Sequence, residues 1–292
     1  MSIANFIPKL WSARLLAHLD KNLVYGNLVN RDYEGEISSY GDTVHINQIG
    51  NITVKKYTKG SEIAAPEDLS TEDQTLVIDQ SHYFNFGIDD IDKAQARTTL
   101  MDKAMTRAAY GLSDAEDKFL ADKMSKEAGV KLGSSSSPIN ITAGNAFATL
   151  VKLKTAMDKE NVPTQGRWVV VPPEFEGLML LDTRFAGADG ARAEERLING
   201  LVGRAAGFDI YVSNNVPVTA GKYSIVASNN DSTTFAKQIV ETEAYRPEKS
   251  FKDAMKGLSV YGAKVTMPKA IAVLTATFNE GVASSSAAAA AE

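Results

Sequence analysis

Apolar and polar positions change period several times along this chain, and each change predicts an element. In residues 42–58, DTVHINQIGNITVKKYT, Val44 and Ile46, then Ile52 and Val54, alternate with polar residues. Residues 73–88, DQTLVIDQSHYFNFGI, carry Thr75, Val77, Tyr83, Phe84 and Phe86, which have β-branched and aromatic character. The two stretches predict a long hairpin, with 73–88 as its return strand. Its wide tip, KGSEIAAPEDLSTE at 59–72, is charged and holds Gly60 and Pro66. A lone hairpin is not stable in water, so it must lie on something. An acidic tip with basic shoulders points to another chain.

The period then shifts to a helical one. From about Asp90 to Ala128 the spacing predicts one long helix, with Met101, Met105, Ala108, Leu112, Ala115 and Phe119 in one apolar stripe. Gly129 follows as a stop, and Gly111 sits mid-helix, where it costs about 1 kcal/mol relative to Ala. At 1.5 Å per residue such a helix is on the order of 50 Å long. GSSSSP at 133–138 reads as a linker and a domain boundary. A second helix follows, through Phe147, Leu150, Leu153 and Met157, with Pro163 beyond its end. Trp168 to Val171 predict a buried strand, and Pro173 starts a short helix. FDIYVS (208–213) and YSIVAS (223–228) are strands, and two more flank Pro268. Strand, helix, strand indicates an α/β or α+β protein.

Composition narrows the chemistry. The chain has 292 residues, 44% hydrophobic and 23% charged, with a net charge of −5 and no cysteine. The length suits two intimate domains. The acidic balance disfavours sequence-independent binding of nucleic acid, which needs clustered Lys and Arg. The missing cysteines exclude disulfides, a Cys-based zinc site and a Cys nucleophile. No apolar run approaches the roughly 20 residues that span a bilayer. The N-terminus is amphipathic, with Ile7, Leu10, Trp11, Leu15 and Leu16 at helical spacing, as in an arm that packs on its own domain or on a neighbour.

Candidate active groups are sparse. His18, His45 and His82 lie in three separate elements. Asp89, Asp90 and Asp92 gather before the long helix. They could hold a divalent cation in a hydrolase, but Asp89 and Asp90 suit capping of the helix N-terminus better. The glycines of GRAAG at 203–207 precede a strand, where a phosphate loop would follow one, so they serve a tight turn. No cofactor site is recognised.

The features occur in one order: amphipathic arm, hairpin, DQSHYFNFGIDDIDKAQA leading into a long helix, RWVVVPPEFEGLMLLD, GRAAGFDIYVSNNVP, and GLSVYGAKVTMPKAIAVLTATF. From about residue 5 to 280 this resembles the major capsid proteins of tailed bacteriophages, whose fold is shared by encapsulins and the herpesvirus capsid floor. The resemblance implies an α+β capsid fold in five parts. These are an N-terminal arm (1–40), an extended hairpin loop (41–88), a peripheral domain with a spine helix (89–130 and 245–282), an axial α/β domain (131–244) and a low-complexity tail (283–292). It implies a shell protein, not an enzyme, that self-assembles through hexamers and pentamers around double-stranded DNA, with no membrane. Scaffolding, portal and decoration proteins would be its partners, the virion its place, and the bacterial cytoplasm its assembly site. The chain opens directly on the arm, which implies a mature form or a separate scaffolding protein. Contacts between subunits are expected at Trp11, Arg14, Lys55, Lys56, Lys59, Glu62, Glu67 and Asp68. Some members join a loop Lys to a neighbour's Asn, but no such Asn stands out here. An encapsulin shell is the nearest alternative; a metal-dependent hydrolase and a monomeric binding module are the others.

Overall fold

The computed structural model describes residues 23–34, 40–49, 71–89, 99–181, 201–248 and 252–278, with Val54, Lys56 and Lys59. Within these, the strands form three sheets, and the buried apolar residues gather in one large cluster and two smaller ones.

The largest sheet has eight strands. Its centre is β6 (Arg167–Val171), buried at every position, as the apolar run Trp-Val-Val-Val requires. On one side β6 runs parallel to β8 (Phe208–Val212), which pairs with β7 (Leu201–Ala205). On the other side lie β10 (Lys222–Asn229) and then β13 (Ala272–Phe278). Short β4 (Val130–Leu132) and β5 (Ile139–Ile141) both run parallel to β13, and β9 (Val218–Thr219) pairs with β10. The polar GSSSSP run is therefore a loop between two strands of one sheet, not a linker between domains.

Helix α2 (Ala146–Lys159) buries Leu150, Leu153 and Met157 in this sheet's core. Asn145 ties β5 to its start, accepting from the Thr142 N–H at 2.8 Å and donating to the Asn140 carbonyl at 2.9 Å. The buried Arg167 closes the return from α2. Its guanidinium donates to Asp158 Oδ1 and the Pro163 carbonyl, each at 2.7 Å. That contact, first of all, holds the Asp158 carboxyl below its usual range. Helix α3 (Pro173–Leu181) begins at the proline and carries Glu174 and Glu176 in its first turn, where the helix dipole favours them.

The other sheets are built from β1 (Thr43–Ile49), β2 (Thr71–Val77), β3 (Gln80–Asp89), β11 (Thr233–Tyr245) and β12 (Lys252–Val265). β1 pairs with β2, and β11-β12-β3 form a three-stranded sheet. The stretch expected as one return strand is thus two. It breaks at Ile78 and Asp79, with β2 completing the hairpin and β3 joining β12. Helix α1 (Thr99–Glu127) covers the three-stranded sheet. Asp89 is the last residue of β3, opposite Lys252, and the capping expected of Asp89 and Asp90 falls on a junction, 90–98, outside the described residues.

Besides the passage through α1, two short connections carry the chain between the two larger sheets, at 230–232 and at 266–271. The passages are stapled together. Thr266 and Met267 N–H both donate to the Ser232 carbonyl, at 2.9 and 3.1 Å, and Thr266 Oγ1 donates to the Asp231 carbonyl at 3.0 Å. Grouped by sheet, β11 goes with β12 and β13 with β10. The division expected at 244/245 falls at the end of β11 instead of between the sheets, because β11 pairs with β12 from Thr233 onward.

GRAAG ends in a hairpin turn, while its first glycine, Gly203, stands in β7 at a register shift and not in the turn as expected. Ala205 pairs with Phe208, and the two residues between, Ala206 and Gly207, have φ of 50° and 84°. Two positive values define the mirror-image turn that matches strand twist and favours Asn-Gly. Ala206 is strained there by its β-carbon. Ala206→Asn is expected to raise unfolding free energy by about 0.5–1 kcal/mol. Urea denaturation checks this; an unchanged or lower midpoint would contradict the assigned turn strain.

Candidate assembly surfaces

Strand β12 is covered on both faces. Alternate residues Met255, Ser259 and Tyr261 face α1: Met255 clusters with Met105, Ala109 and Leu112, and Tyr261 meets the Phe119 ring edge-on at 5.4 Å. Leu258 and Val260 face the other way. There they and Ala236 pack under Val44, Ile46, Leu76 and Ile78 at the root of the β1-β2 hairpin. The root is closed by Gly41 N–H to Ile78 O at 3.0 Å and Ile78 N–H to Asp42 O at 3.1 Å. The base of the hairpin therefore lies on its own chain.

The close approach needs a glycine. A β-carbon at Gly262 would overlap the Val77 carbonyl oxygen and sit 3.0 Å from the Ile78 α-carbon. Gly257, five residues earlier, accommodates the Phe84 ring, whose atoms would stand 2.5 Å from an added β-carbon. Gly129 does the same at the end of α1, where its N–H donates to the Pro268 carbonyl at 2.8 Å.

Beyond the hairpin root the outer face is open. Tyr83, 77% exposed, borders a hollow of about 280 Å³ with Asn85, Lys256 and Leu258. Tyr245 OH donates to Asn85 Oδ1 at 3.1 Å, and Lys256 lies 5.3 Å from the Tyr245 ring while pairing with Glu243 at 2.7 Å. A second hollow, about 800 Å³, is lined by Glu174, Leu178, Leu181, Tyr223 and Phe278. Leu181 is 70% exposed. Exposed apolar residues beside hollows suit contact with other protein surfaces.

Helix α1 carries charge inside. Glu116 and Asp117 are both buried, between Leu112 and Leu120. The expected stripe through Ala108 and Ala115 is rotated, and the core-facing line runs through Met105, Ala109, Leu112, Glu116 and Leu120. Asp117 holds the segment 23–34. Its oxygens accept from the Val24 N–H at 2.8 Å and the Gly26 N–H at 3.2 Å. Tyr25 thereby enters the core and meets Trp168 edge-on at 6.2 Å. Glu116 accepts from Ser259 Oγ at 3.3 Å and faces the Lys237 ammonium at 3.8 Å. Burial pushes the Glu116 carboxyl up to about 7 and the Asp117 carboxyl up to about 6. Burial, then the Asp117 charge, also pushes the Tyr25 phenol up.

Of the expected contact residues, Lys56 and Lys59 are exposed, while Trp11, Arg14, Lys55, Glu62, Glu67 and Asp68 lie outside the described residues. His45 and His82 stand on separate sheets, and Tyr261 OH meets His82 Nδ1 at 2.9 Å. Among the described residues no three His, Asp or Glu gather as a metal site. Sequence reading missed Glu116, Asp117 and Lys237. The available signal was an acidic pair on the apolar side of the helix.

A family model described as phage capsid protein matches residues 73–274. The chain belongs to the phage capsid protein family. A solved structure from Mycobacterium phage Che8 is 32% identical, covering 95% of this capsid protein and 98% of that chain, with a TM-score of 0.69. The capsid structure of cyanophage P-SCSP1u is 18% identical, with a TM-score of 0.67 over 89% of each chain. A virus-like particle from Pyrococcus furiosus shares the fold at 14% identity, with a TM-score of 0.56 over 90% of this chain and 96% of that one. No curated protein matches. The capsid protein is thus a structural protein of α+β fold that associates with itself in the shell of a virion.

Gly262→Ala in this capsid protein is expected to destabilise it by about 1–3 kcal/mol, since backbone, not a flexible side chain, stands in the way. Chemical denaturation of wild type and variant measures it; a variant of equal stability would contradict the packing described.

Proposed function

We propose that this chain is the major shell subunit of a tailed phage, assembling through hexamers and pentamers into an icosahedral container for double-stranded DNA. The observation that carries this reading is the phage-capsid family match over residues 73–274. The structure lends support, since large apolar residues stand exposed beside hollows on two faces. In this reading the three-stranded sheet and α1 form the peripheral part. The eight-stranded sheet forms the axial part, near the centre of each capsomer. Residues 1–40 are the arm, and the hairpin beyond its root reaches a neighbouring subunit. Trp11, Arg14, Lys55, Lys56, Lys59, Glu62, Glu67 and Asp68 make contacts between subunits. A scaffolding protein guides assembly in the host cytoplasm, a portal occupies one vertex, and decoration proteins bind outside. DNA is enclosed without sequence-specific contact, consistent with a net charge of −5.

Negative-stain electron microscopy of the purified chain, with scaffolding protein, should show shells tens of nanometres across or rings of five and six. A chain that stays monomeric under those conditions would sink the reading. Shells filled with protein instead of DNA would move the chain toward the nanocompartments. Reversing charge together at Lys55, Lys56 and Lys59 is expected to cut particle yield severely while leaving the subunit's melting temperature within a few degrees. Normal yield of normal particles would remove those lysines from the interface.

A further inference from the structure

The edges of the two larger sheets are guarded unequally. An edge strand exposes unpaired N–H and C=O groups, and shortness, a bulge or a charged side chain keeps other chains from pairing with it. In the eight-stranded sheet β4, β5 and β9 hold three, three and two residues, and β7 carries Arg204 and a register shift. In the three-stranded sheet β11 shifts register after Ile239, and Asn30 bridges Thr234 near its start. The opposite edge, β3, has none of these guards. It pairs with β12 along its whole length, from Gln80 to Asp89, without a shift. Residues 80–88, QSHYFNFGI, contain no Pro, Lys, Arg, Asp or Glu. Among the described residues no strand lies on the other side of β3.

Neither neighbouring layer closes over this edge. Phe84 and Phe86 pack toward α1, yet Ser81, His82, Tyr83, Asn85 and Gly87 are exposed. The hairpin root covers Leu258 and Val260 and leaves Tyr83 open beside them. Such an edge suits a strand with a β-branched residue to set against Tyr83 and a cation to meet Asp79, the exposed acidic residue just ahead of β3. This chain carries one. Val54, at 93%, is the most exposed large apolar residue among those described, and Lys56 is exposed two positions on. Around them, ITVKKYT at 52–58 is rich in β-branched residues.

We propose that β3 is a docking edge for a second copy of this chain, whose stretch around Val54 and Lys56 adds to it as an antiparallel strand. Val54 of the second copy lies beside Tyr83, and its Lys56 runs toward Asp79. The direction follows from the residues: Lys56 is C-terminal to Val54, Asp79 is N-terminal to Tyr83, and only an antiparallel strand brings both pairs together. Backbone hydrogen bonds supply the attraction, and the two side-chain pairs set the register. The docking rests on the hairpin reaching a neighbouring subunit, as proposed above, and adds where it lands and by which bonds.

Because the chain has no cysteine, an introduced pair reports on this contact alone. The full chain carrying both Tyr83→Cys and Val54→Cys, assembled into particles and oxidised, is expected to run as disulfide-linked dimers and longer ladders on a denaturing gel. Facing residues of antiparallel strands lie about 5 Å apart at their α-carbons, within disulfide reach. Either single variant should stay monomeric. Three results overturn the docking and leave the shell reading standing: links within one chain, links in a single variant, as when β3 pairs with β3, or no links in otherwise normal particles. A wild-type chain that forms no particles overturns both. Amide hydrogen exchange of the wild type needs no variant to fold. Exchange of residues 81–87 should slow by about a hundredfold or more between free subunits and particles. Exchange that assembly leaves unchanged overturns the docking.

Discussion

The passage of the chain over Gly262 is the constraint on which the rest of the structure depends. At that point the β2-β3 connection crosses the central strand β12 so closely that no side chain fits between them. One strand then serves two layers, α1 beneath and the hairpin root above. Without the crossing, Val44, Ile46, Leu76 and Ile78 would have nothing of their own chain to cover. A hairpin without such a base does not hold its shape in water. The glycine therefore lets a reaching element have a fixed root.

Much of the fold was legible in the pattern of apolar residues, and where it was not, polar groups inside the core explain why. Strands β6, β8, β10 and β12 carry alternating or continuous Val, Ile and aromatic residues. β11 escaped notice because its buried positions include Thr233, Thr234, Lys237 and Thr242. Of these, Lys237 faces Glu116 across the layer. The rotated stripe on α1 has the same origin, since a pattern drawn through alanines missed a helix that turns two carboxylates inward. The break at Ile78 and Asp79 has no local signal. It is set by the partner strands, one in each sheet, and partner choice lies far away in the chain.

The expected contact residues were chosen by charge and by position on a resemblance. That choice favours charged residues, and it does not reach Tyr83 and Leu181, whose exposure appears only when the surrounding strands are in place. The likeness to phage capsid chains was legible for a different reason. It rests on the order of elements, and order survives where individual side chains do not, as the cyanophage chain at 18% identity and a TM-score of 0.67 illustrates.

The interior charges are costly ways to hold a helix, and a hydrophobic substitute of similar shape would be expected to stabilise it as well or better. What an apolar pair could not do is select a partner by direction. Asp117 accepts two backbone N–H groups that only a chain in one orientation can offer, and Glu116 accepts from Ser259 on one strand while facing Lys237 on the next. The α1 helix is thereby fixed in rotation as well as in place, against the sheet and against the segment that leads to the N-terminus. For a subunit whose outer surfaces must meet many copies of itself, that fixed rotation matters more than a few kcal/mol of stability.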